Sequence, residues 1–290
     1  MNIKSRLKET FKKIKIYFLK LLYGKAITAC WYKKHKNFGD LITPEIIKYF
    51  GFKPIHIKGN LADLYATGSI LKAVPDNYQG TIIGSGLMSE TEKKFFPIAN
   101  ILAVRGKETL KNIGSPKEVF LGDPGLLIKK LYSFNGVHKK FKIGIIPHYV
   151  DMDSPIIKRL ALLHSAEDLK IIDVKRNPKN VAYDIVRCKY ILSSSLHGII
   201  AADSFHIPNA WILLSKNVAG RGFKFHDYNS ALGVEQKYKI INGDESIEDL
   251  VNLTIKKPAE TINEITEQLE KIFHDYFEKK SVNYKNKNSF

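Results

Sequence analysis

The segment Ile191-Leu-Ser-Ser-Ser-Leu-His-Gly-Ile-Ile-Ala-Ala-Asp-Ser-Phe-His-Ile-Pro208 decides the fold class of this chain. It predicts an apolar strand, a serine-rich turn and a helix that begins at His197. Where a strand of an α/β protein ends and a helix begins, the free backbone N–H groups of the helix can bind an anion. A histidine at that position can also exchange a proton near neutral pH. The segment therefore predicts an anion site that contains a candidate acid–base group.

Apolar runs and helical patterns alternate along the rest of the chain as well. Near-continuous apolar strands between helices are typical of parallel sheets that are covered on both faces. A polar stretch at residues 133–140 separates two such series and indicates a linker. We therefore predict an α/β fold with two Rossmann-like domains that face a cleft. The predicted strands lie at residues 26–32, 54–57, 64–67, 81–84, 101–105, 119–121, 142–147, 169–174, 190–193 and 210–214, and the predicted helices at 44–50, 107–113, 155–165, 181–187 and 197–205.

Helical segments flank the two predicted domains. In residues 1–25, eight Lys and Arg stand against one acidic residue, and apolar residues recur at helical spacing, which predicts a basic amphipathic helix. Residues 246–280 contain the pattern of a long amphipathic helix. The full predicted organisation is a helix at 1–25, an N-terminal domain at 26–135, a C-terminal domain at 141–245, a helical segment at 246–280 and a basic tail at 281–290.

The formal net charge of +17 bears on the partners of the protein. A basic amphipathic helix can lie on an anionic membrane surface, so residues 1–24 are a candidate membrane contact. The alternative is a helix that docks on the protein and leaves its basic face in solvent. No stretch approaches the roughly 20 apolar residues of a spanning helix. We expect a cytoplasmic protein that can attach to the inner face of the cell membrane.

Two classes of protein are excluded by composition and motifs. The sequence has no helix-turn-helix signal, zinc-ligand spacing or aromatic RNA-binding motif, so we expect no nucleic-acid partner. Cys30 and Cys188 lie far apart, which excludes a disulfide framework and a zinc cluster and fits a reducing compartment.

Several predicted strand ends carry residues that suit an anionic ligand. In Asn37-Phe-Gly-Asp40 the polar side chains either face a ligand or only shape a tight turn. Arg105 can bind a carboxylate or phosphate in bidentate fashion, or form a structural salt bridge. His148 also follows a strand and is expected to face the cleft. Residues 216–228 are rich in cations and glycine, and predict either an anion-binding loop or a solvated charged loop.

Taken together, these motifs resemble the polysaccharide pyruvyl transferase family, and most closely its exopolysaccharide branch. The resemblance covers most of residues 28–235 and implies a glycosyltransferase-B-like fold of two domains. The motifs that carry it are Asn37-Phe-Gly-Asp40, Gly84-Ser-Gly86, Val104-Arg-Gly106, Gly122-Asp-Pro124, Ile146-Pro-His148, Ser193-Ser-Ser-Leu-His-Gly198, Ala202-Asp-Ser-Phe-His-Ile-Pro208 and Gly222-Phe-Lys-Phe225.

The resemblance implies a reaction and a set of site residues. Members transfer the enolpyruvyl unit of phosphoenolpyruvate to a sugar of a bacterial surface glycan, usually forming a cyclic ketal with release of phosphate. His197 matches the catalytic histidine of the family and would act as the general acid. Many members have an arginine where this chain has Ser195, so the phosphate must rely on other cations or on backbone N–H groups. The predicted substrate contacts are Arg105, Lys224, Arg221, Ser195, His148, Asn37 and Asp40.

The expected partners are phosphoenolpyruvate and a lipid-linked or nascent glycan acceptor, with no metal and no separate cofactor. A nucleotide-sugar-dependent glycosyltransferase could use the same two-domain cleft. A non-catalytic subunit of glycan assembly could keep the fold without the activity. The sequence leaves these two alternatives open.

Overall fold

Two parallel β-sheets, one in each half of the chain, form the framework of the protein. The computed structural model describes residues 3–34, 36–114, 119–215, 218–220 and 222–287, with backbone only at 3–6 and 283–287. All named strand pairs in these residues are parallel. The first sheet has the order β2-β1-β3-β4-β5-β6, with β1 (Ala26–Cys30), β2 (Lys53–His56), β3 (Leu64–Tyr65), β4 (Thr81–Ser85), β5 (Asn100–Val104) and β6 (Phe120–Leu121). The second has the order β11-β10-β9-β7-β8, with β7 (Phe141–Ile146), β8 (Leu169–Ile171), β9 (Cys188–Ser193), β10 (Asn209–Leu213) and β11 (Lys239–Ile240).

Ten α-helices, counted over the described residues, pack around these sheets. Two of them begin at a cap that the sequence supplies. Ser154 and Asn177 each precede a proline and accept a hydrogen bond from the backbone N–H two residues further on. The helices are α1 (Ile3–Tyr23), α2 (Ile42–Tyr49), α3 (Lys107–Ile113), α4 (Ile128–Leu131), α5 (Pro155–Leu163), α6 (Pro178–Val186), α7 (Leu196–Ser204), α8 (Phe223–Ala231), α9 (Ile247–Asn252) and α10 (Ala259–Lys287).

The α/β class, the two parallel sheets and the long C-terminal helix are confirmed, while the domain boundaries and the glycosyltransferase-B-like arrangement stay predictions. The clearest departure is in residues 216–228, predicted as a loop, where the structure has α8. This helix is buried on several sides, so it lacks the polar face by which sequence patterns reveal a helix. Phe225 stacks on Trp211 with ring centroids 4.2 Å apart.

The last helix joins the two halves of the molecule. α10 follows the second sheet in the chain, yet its apolar face packs on the first half. Phe277 stacks on Phe50 with ring centroids 4.9 Å apart, and Phe273 is fully buried beside them. A methyl group added to Gly122 would lie 2.7 Å from Ile265 of α10, so the glycine permits the close approach of this helix. One hydrophobic core cluster accordingly contains residues of both halves.

The predicted N-terminal helix is present as α1, and most of the apolar side chains described on it are exposed. Phe11 is 69% exposed and Leu22 is 74% exposed. Near its end, Lys20 forms an ion pair with Asp63 at 2.8 Å. The structure therefore does not show the docked apolar face that the alternative requires. Among the described residues, no helix combines the length and apolar composition that a membrane-spanning segment needs.

Replacing Phe273 by Ala should test the role of α10 in the core. The change removes a fully buried aromatic ring, so we expect the free energy of unfolding to fall by about 3–5 kcal/mol. Urea denaturation followed by circular dichroism measures this value. Val282→Ala, at an exposed position of the same helix, is the control and should change it by less than about 0.5 kcal/mol. Equal effects of the two changes would show that α10 is not part of the core.

Candidate functional site

A pocket of about 470 Å³ lies between the two halves of the molecule, at the carboxyl ends of the strands. Loops that follow β1, β3 and β4 form one wall, and loops that follow β7, β9 and β10 form the other. Parallel sheets bind ligands at this edge because the loops there converge. The pocket is lined by Tyr32, Asn37, Asp40, Ser69, Ile70, Lys72, Ala73, Met88, Glu92, His148, Tyr149, Val150, Ser195, Leu196, His197, Ala219 and Lys224.

The serine turn places the start of α7 at this pocket. The hydroxyl of Ser193 accepts a hydrogen bond from the backbone N–H of Ser195 at 3.0 Å and donates to the carbonyl of Ile146 at 2.9 Å. These bonds fix the turn after β9 against the end of β7. Ser195 is the N-cap residue, but its side chain does not cap the helix. The first-turn N–H groups of a helix have no partner within the helix. In α7 the N–H of Gly198 donates to the carbonyl of Ser195, so the N–H groups of Leu196 and His197 are the ones left for an anion at the pocket.

His197 lies between the two walls. A methyl group added to Gly39 would lie 2.1 Å from Nδ1 of His197, so only glycine lets the loop after β1 pack against the imidazole. The Nε2 atom of His197 and the Oδ2 atom of Asp123 are both buried and have no hydrogen-bond partner in the described part of the chain. Burial, together with the nearby cations Lys224 and Arg105, lowers the pKa of His197 to about 3. The imidazole of the protein alone is therefore neutral at pH 7.

Lys224 supplies a buried cation of the pocket. Its side chain is only 7% exposed, and it forms no ion pair with the described residues. Burial lowers its pKa to about 8, with Arg105 adding to the effect and Asp40 and Asp151 opposing it. A buried ammonium without a counter-ion is costly, and a bound anion removes that cost. The geometry of Lys224 and of the start of α7 therefore suits an anionic ligand.

Arg105 lies behind the pocket lining, and in this structure it forms the salt bridge that the sequence left as its alternative. Its guanidinium is fully buried; Nε donates to Asp227 at 2.8 Å and Nη1 donates to Ser69 at 2.5 Å. Asp227 also accepts from the hydroxyl of Thr109 at 2.6 Å. A methyl group on Gly86 would lie 2.4 Å from the guanidinium carbon, so the glycine makes room for Arg105. The direct contact of Arg105 with an anion, predicted from its place at a strand end, is replaced by this internal pairing.

Of the other predicted site residues, four line the pocket and one lies outside the described residues. Asn37 accepts a hydrogen bond from the backbone N–H of Gly39 at 3.1 Å, so it shapes the turn as well as lining the pocket. Asp40 lines the pocket, and burial raises its pKa to about 7 against the opposing effect of Lys224. Burial, with Lys224, lowers the pKa of His148 to about 4. Ser195 also lines the pocket, whereas Arg221 lies outside the described residues.

Comparison with known proteins agrees with this arrangement. A model of the polysaccharide pyruvyl transferase family matches residues 7–215, which include both walls of the pocket up to β10. This chain belongs to the polysaccharide pyruvyl transferase family. The resemblance seen in the sequence motifs is therefore confirmed.

Two curated relatives of this pyruvyl transferase family member show how far the similarity extends. The succinoglycan biosynthesis protein ExoV of Rhizobium meliloti (strain 1021) is 28% identical over 213 residues, which cover 70% of this chain and 64% of that protein. An uncharacterized protein, L143, of Acanthamoeba polyphaga mimivirus is 35% identical over 203 residues, covering 64% of this chain and 67% of its own length. The similarity to ExoV supports the exopolysaccharide branch.

Sequence reasoning about this pyruvyl transferase family member missed five polar or aromatic residues of the pocket. Each lies in a loop after a strand of the first or second sheet, and that position is the signal that could have identified it. Their residue types are common in solvated loops, so the sequence alone does not distinguish them. These residues are Tyr32, Ser69, Lys72, Glu92 and Tyr149.

The buried ion pair of Arg105 and Asp227 should contribute strongly to the stability of this pyruvyl transferase family member. Asp227→Asn leaves the guanidinium of Arg105 buried without a counter-charge, so we expect the free energy of unfolding to fall by about 3–5 kcal/mol. The control is Asp76→Asn, which removes the ion pair of a largely exposed carboxylate with Lys94 and should cost less than about 1 kcal/mol. Urea denaturation of the two variants measures both values. A loss at Asp227 no larger than the loss at Asp76 would contradict the role given to this pair.

Proposed function

We propose that this protein transfers the enolpyruvyl group of phosphoenolpyruvate to a sugar of a surface glycan, with release of phosphate and formation of a ketal. The observation that carries the proposal is the combination, in one pocket, of a buried unpaired ammonium, Lys224, with His197 at the start of α7. Membership of the polysaccharide pyruvyl transferase family and the similarity to a succinoglycan biosynthesis protein support the same activity.

The donor suits this pocket because it is small and strongly anionic. Phosphoenolpyruvate carries a carboxylate and a phosphate on adjacent positions. Lys224 can bind one oxygen of the ligand, and the N–H groups at the start of α7 can bind others. These two elements take the place of the arginine that many members have at the position of Ser195.

His197 is the acid–base residue of the proposal. A bound anion raises the pKa of a nearby imidazole because it favours the charged form. The neutral His197 of the protein alone can therefore accept a proton during the reaction and hold it as imidazolium beside the anion. A positioned acid–base group contributes about 10²- to 10⁴-fold to a reaction rate.

Two variants separate catalysis from binding. We expect His197→Asn to lower kcat for phosphate release from phosphoenolpyruvate by about 10²- to 10⁴-fold. Lys224→Met should raise KM for phosphoenolpyruvate about 10- to 100-fold, because a hydrogen bond to a charged group contributes about 1.5–3 kcal/mol. The measurement is phosphate release in the presence of a lipid-linked glycan fraction. His274→Asn, at an exposed position of α10, is the control and should match the wild type.

Other outcomes would identify the alternatives. Turnover of a sugar nucleotide without phosphate release from phosphoenolpyruvate would replace the proposal by a glycosyltransferase. If pyruvylation of the glycan in cells survives His197→Asn, the protein is a subunit whose own site is not catalytic.

The same proposal includes peripheral attachment to an anionic membrane through residues 1–24. Exposed Phe11, Phe18 and Leu22 recur on α1 at helical spacing, and lysines flank them. An apolar face with basic flanks lies in the plane of an anionic membrane surface. Such attachment would hold the enzyme beside a lipid-linked acceptor.

Sedimentation with vesicles that contain phosphatidylglycerol tests the attachment. The full chain should sediment with the vesicles, and a variant with Phe11, Phe18 and Leu22 all changed to Ser should stay in the supernatant. Leu162→Ser, which removes a strongly exposed leucine from another helix, is the control and should sediment like the wild type. If the full chain does not sediment with the vesicles, the membrane proposal is wrong.

A further inference from the structure

We propose that Asp40 is a second catalytic residue, which in its protonated form donates the proton to the methylene carbon of phosphoenolpyruvate, while His197 first acts as a base toward the acceptor hydroxyl. This inference rests on the proposed function and assigns the two proton transfers within it. It departs from the expectation that His197 is the acid for carbon.

No hydrogen bond or ion pair with the described residues explains why position 40 carries a carboxyl group. The carboxyl accepts no hydrogen bond from the described residues, although it lies in a half-buried pocket wall. Other buried acids of the chain are bonded internally: Asp151 to Ser194 and Ser215, and Asp227 to Arg105 and Thr109. Asp40 is thus a half-buried acid whose carboxyl group is left available to a ligand.

The loop after β1 holds Asp40 next to the other reacting groups. Gly39 packs against the imidazole edge that carries Nδ1 of His197, and Asp40 follows Gly39 directly in the chain. Asp40, His197 and Lys224 all line the same pocket. An anion bound between Lys224 and the start of α7 therefore lies within the space that Asp40 also faces.

Electrostatics decides the protonation state of this acid. A ligand that carries a carboxylate and a phosphate repels an ionised carboxylate in a half-buried pocket, so its binding favours the protonated form of Asp40. The pKa of Asp40 is already raised to about 7 by burial, against the opposing effect of Lys224. Besides Asp40, the titratable groups that line the pocket are Tyr32, Lys72, Glu92, His148, Tyr149, His197 and Lys224.

His197 has the complementary property. Burial and the nearby cations keep its imidazole neutral, so it can accept a proton before it can donate one. A pair of groups whose environments move their pKa values in opposite directions is the usual arrangement for an acid and a base in one site.

The two groups complete a balanced cycle. The proton of Asp40 forms the new C–H bond at C3 with the electron pair of the C2–C3 double bond, which leaves C2 electrophilic. The first acceptor hydroxyl bonds to C2 through its oxygen and gives its proton to His197. The C2–O bond to phosphate breaks, and phosphate leaves with the proton from His197. The second hydroxyl closes the ketal at C2 and returns its proton to Asp40, so both residues regain their starting states.

Binding calorimetry with phosphoenolpyruvate alone tests which residue takes up a proton. At pH 7.5, a group whose pKa rises on ligand binding takes up protons from the buffer. The number of protons follows from the difference between the binding heats measured in two buffers that have unequal ionisation enthalpies. We expect the wild type and His197→Asn to take up protons on binding. Asp40→Asn should still bind phosphoenolpyruvate but lose more than half of the uptake. Asp244→Asn, at an exposed position, is the matched control and should behave like the wild type.

Catalysis provides the second readout. Asp40→Asn should lower kcat for phosphate release by about 10²- to 10⁴-fold, and Asp40→Glu should restore a measurable part of it, which a merely structural role would not do. A proton uptake by Asp40→Asn that is at least half that of the wild type overturns the inference, and so does an uptake that disappears in His197→Asn. A kcat of Asp40→Asn within about threefold of the wild type overturns it as well. If the wild type neither binds phosphoenolpyruvate nor releases phosphate from it, the proposed function itself is wrong. An active wild type with an unaffected Asp40→Asn contradicts the assignment of Asp40 alone.

Discussion

The buried pair of Arg105 and Asp227 is the interaction on which the architecture of the site depends. It joins the end of β5 in the first half of the chain to α8 in the second half, and both side chains are fully buried. Neither charge is tolerated there without the other, because an unpaired buried ion has lost its hydration. Asp227 and Lys224 are three residues apart on α8, so they lie on neighbouring positions of one helix face. The pair that holds α8 in place thereby also fixes the cation of the pocket.

Glycines make this arrangement possible by allowing close approach. Gly86 accommodates the guanidinium of Arg105, and a methyl group on Gly106 would lie 1.7 Å from the carbonyl oxygen of Asp227. Gly39 does the same for the imidazole of His197. The contacts of Gly39 and Gly106 therefore join the two halves of the molecule, whereas that of Gly86 lies within the first half. In this chain they serve packing and positioning more than direct contact with a ligand.

The charge balance of the pocket follows from the same contacts. Asp227 neutralises Arg105, so Lys224 is the buried cation of the described residues that lines the pocket without an ion pair. Burial and the field of Lys224 together lower the pKa of the two histidines of the pocket, whereas at Asp40 burial raises the pKa and Lys224 opposes this rise. Such a site favours a small ligand with more than one negative charge, whose arrival raises the pKa of each of these groups.

The sequence by itself determined the α/β class, the parallel strands and the strand ends near which the site residues lie, because hydrophobic periodicity and glycine turns are local signals. It also placed His197 at the start of a helix, which the structure has as α7. Only the tertiary structure decided that residues 216–228 contain α8, since that helix is held by the stacking of Phe225 on Trp211 and by the ion pair of Asp227. It also decided that Arg105 pairs internally while Lys224 faces the pocket. The physical reason is that the end of a strand fixes only the backbone position of a side chain. The partners that neutralise that side chain, or leave it free for a ligand, come from distant parts of the chain. Arg105 and Asp227, for example, are 122 residues apart.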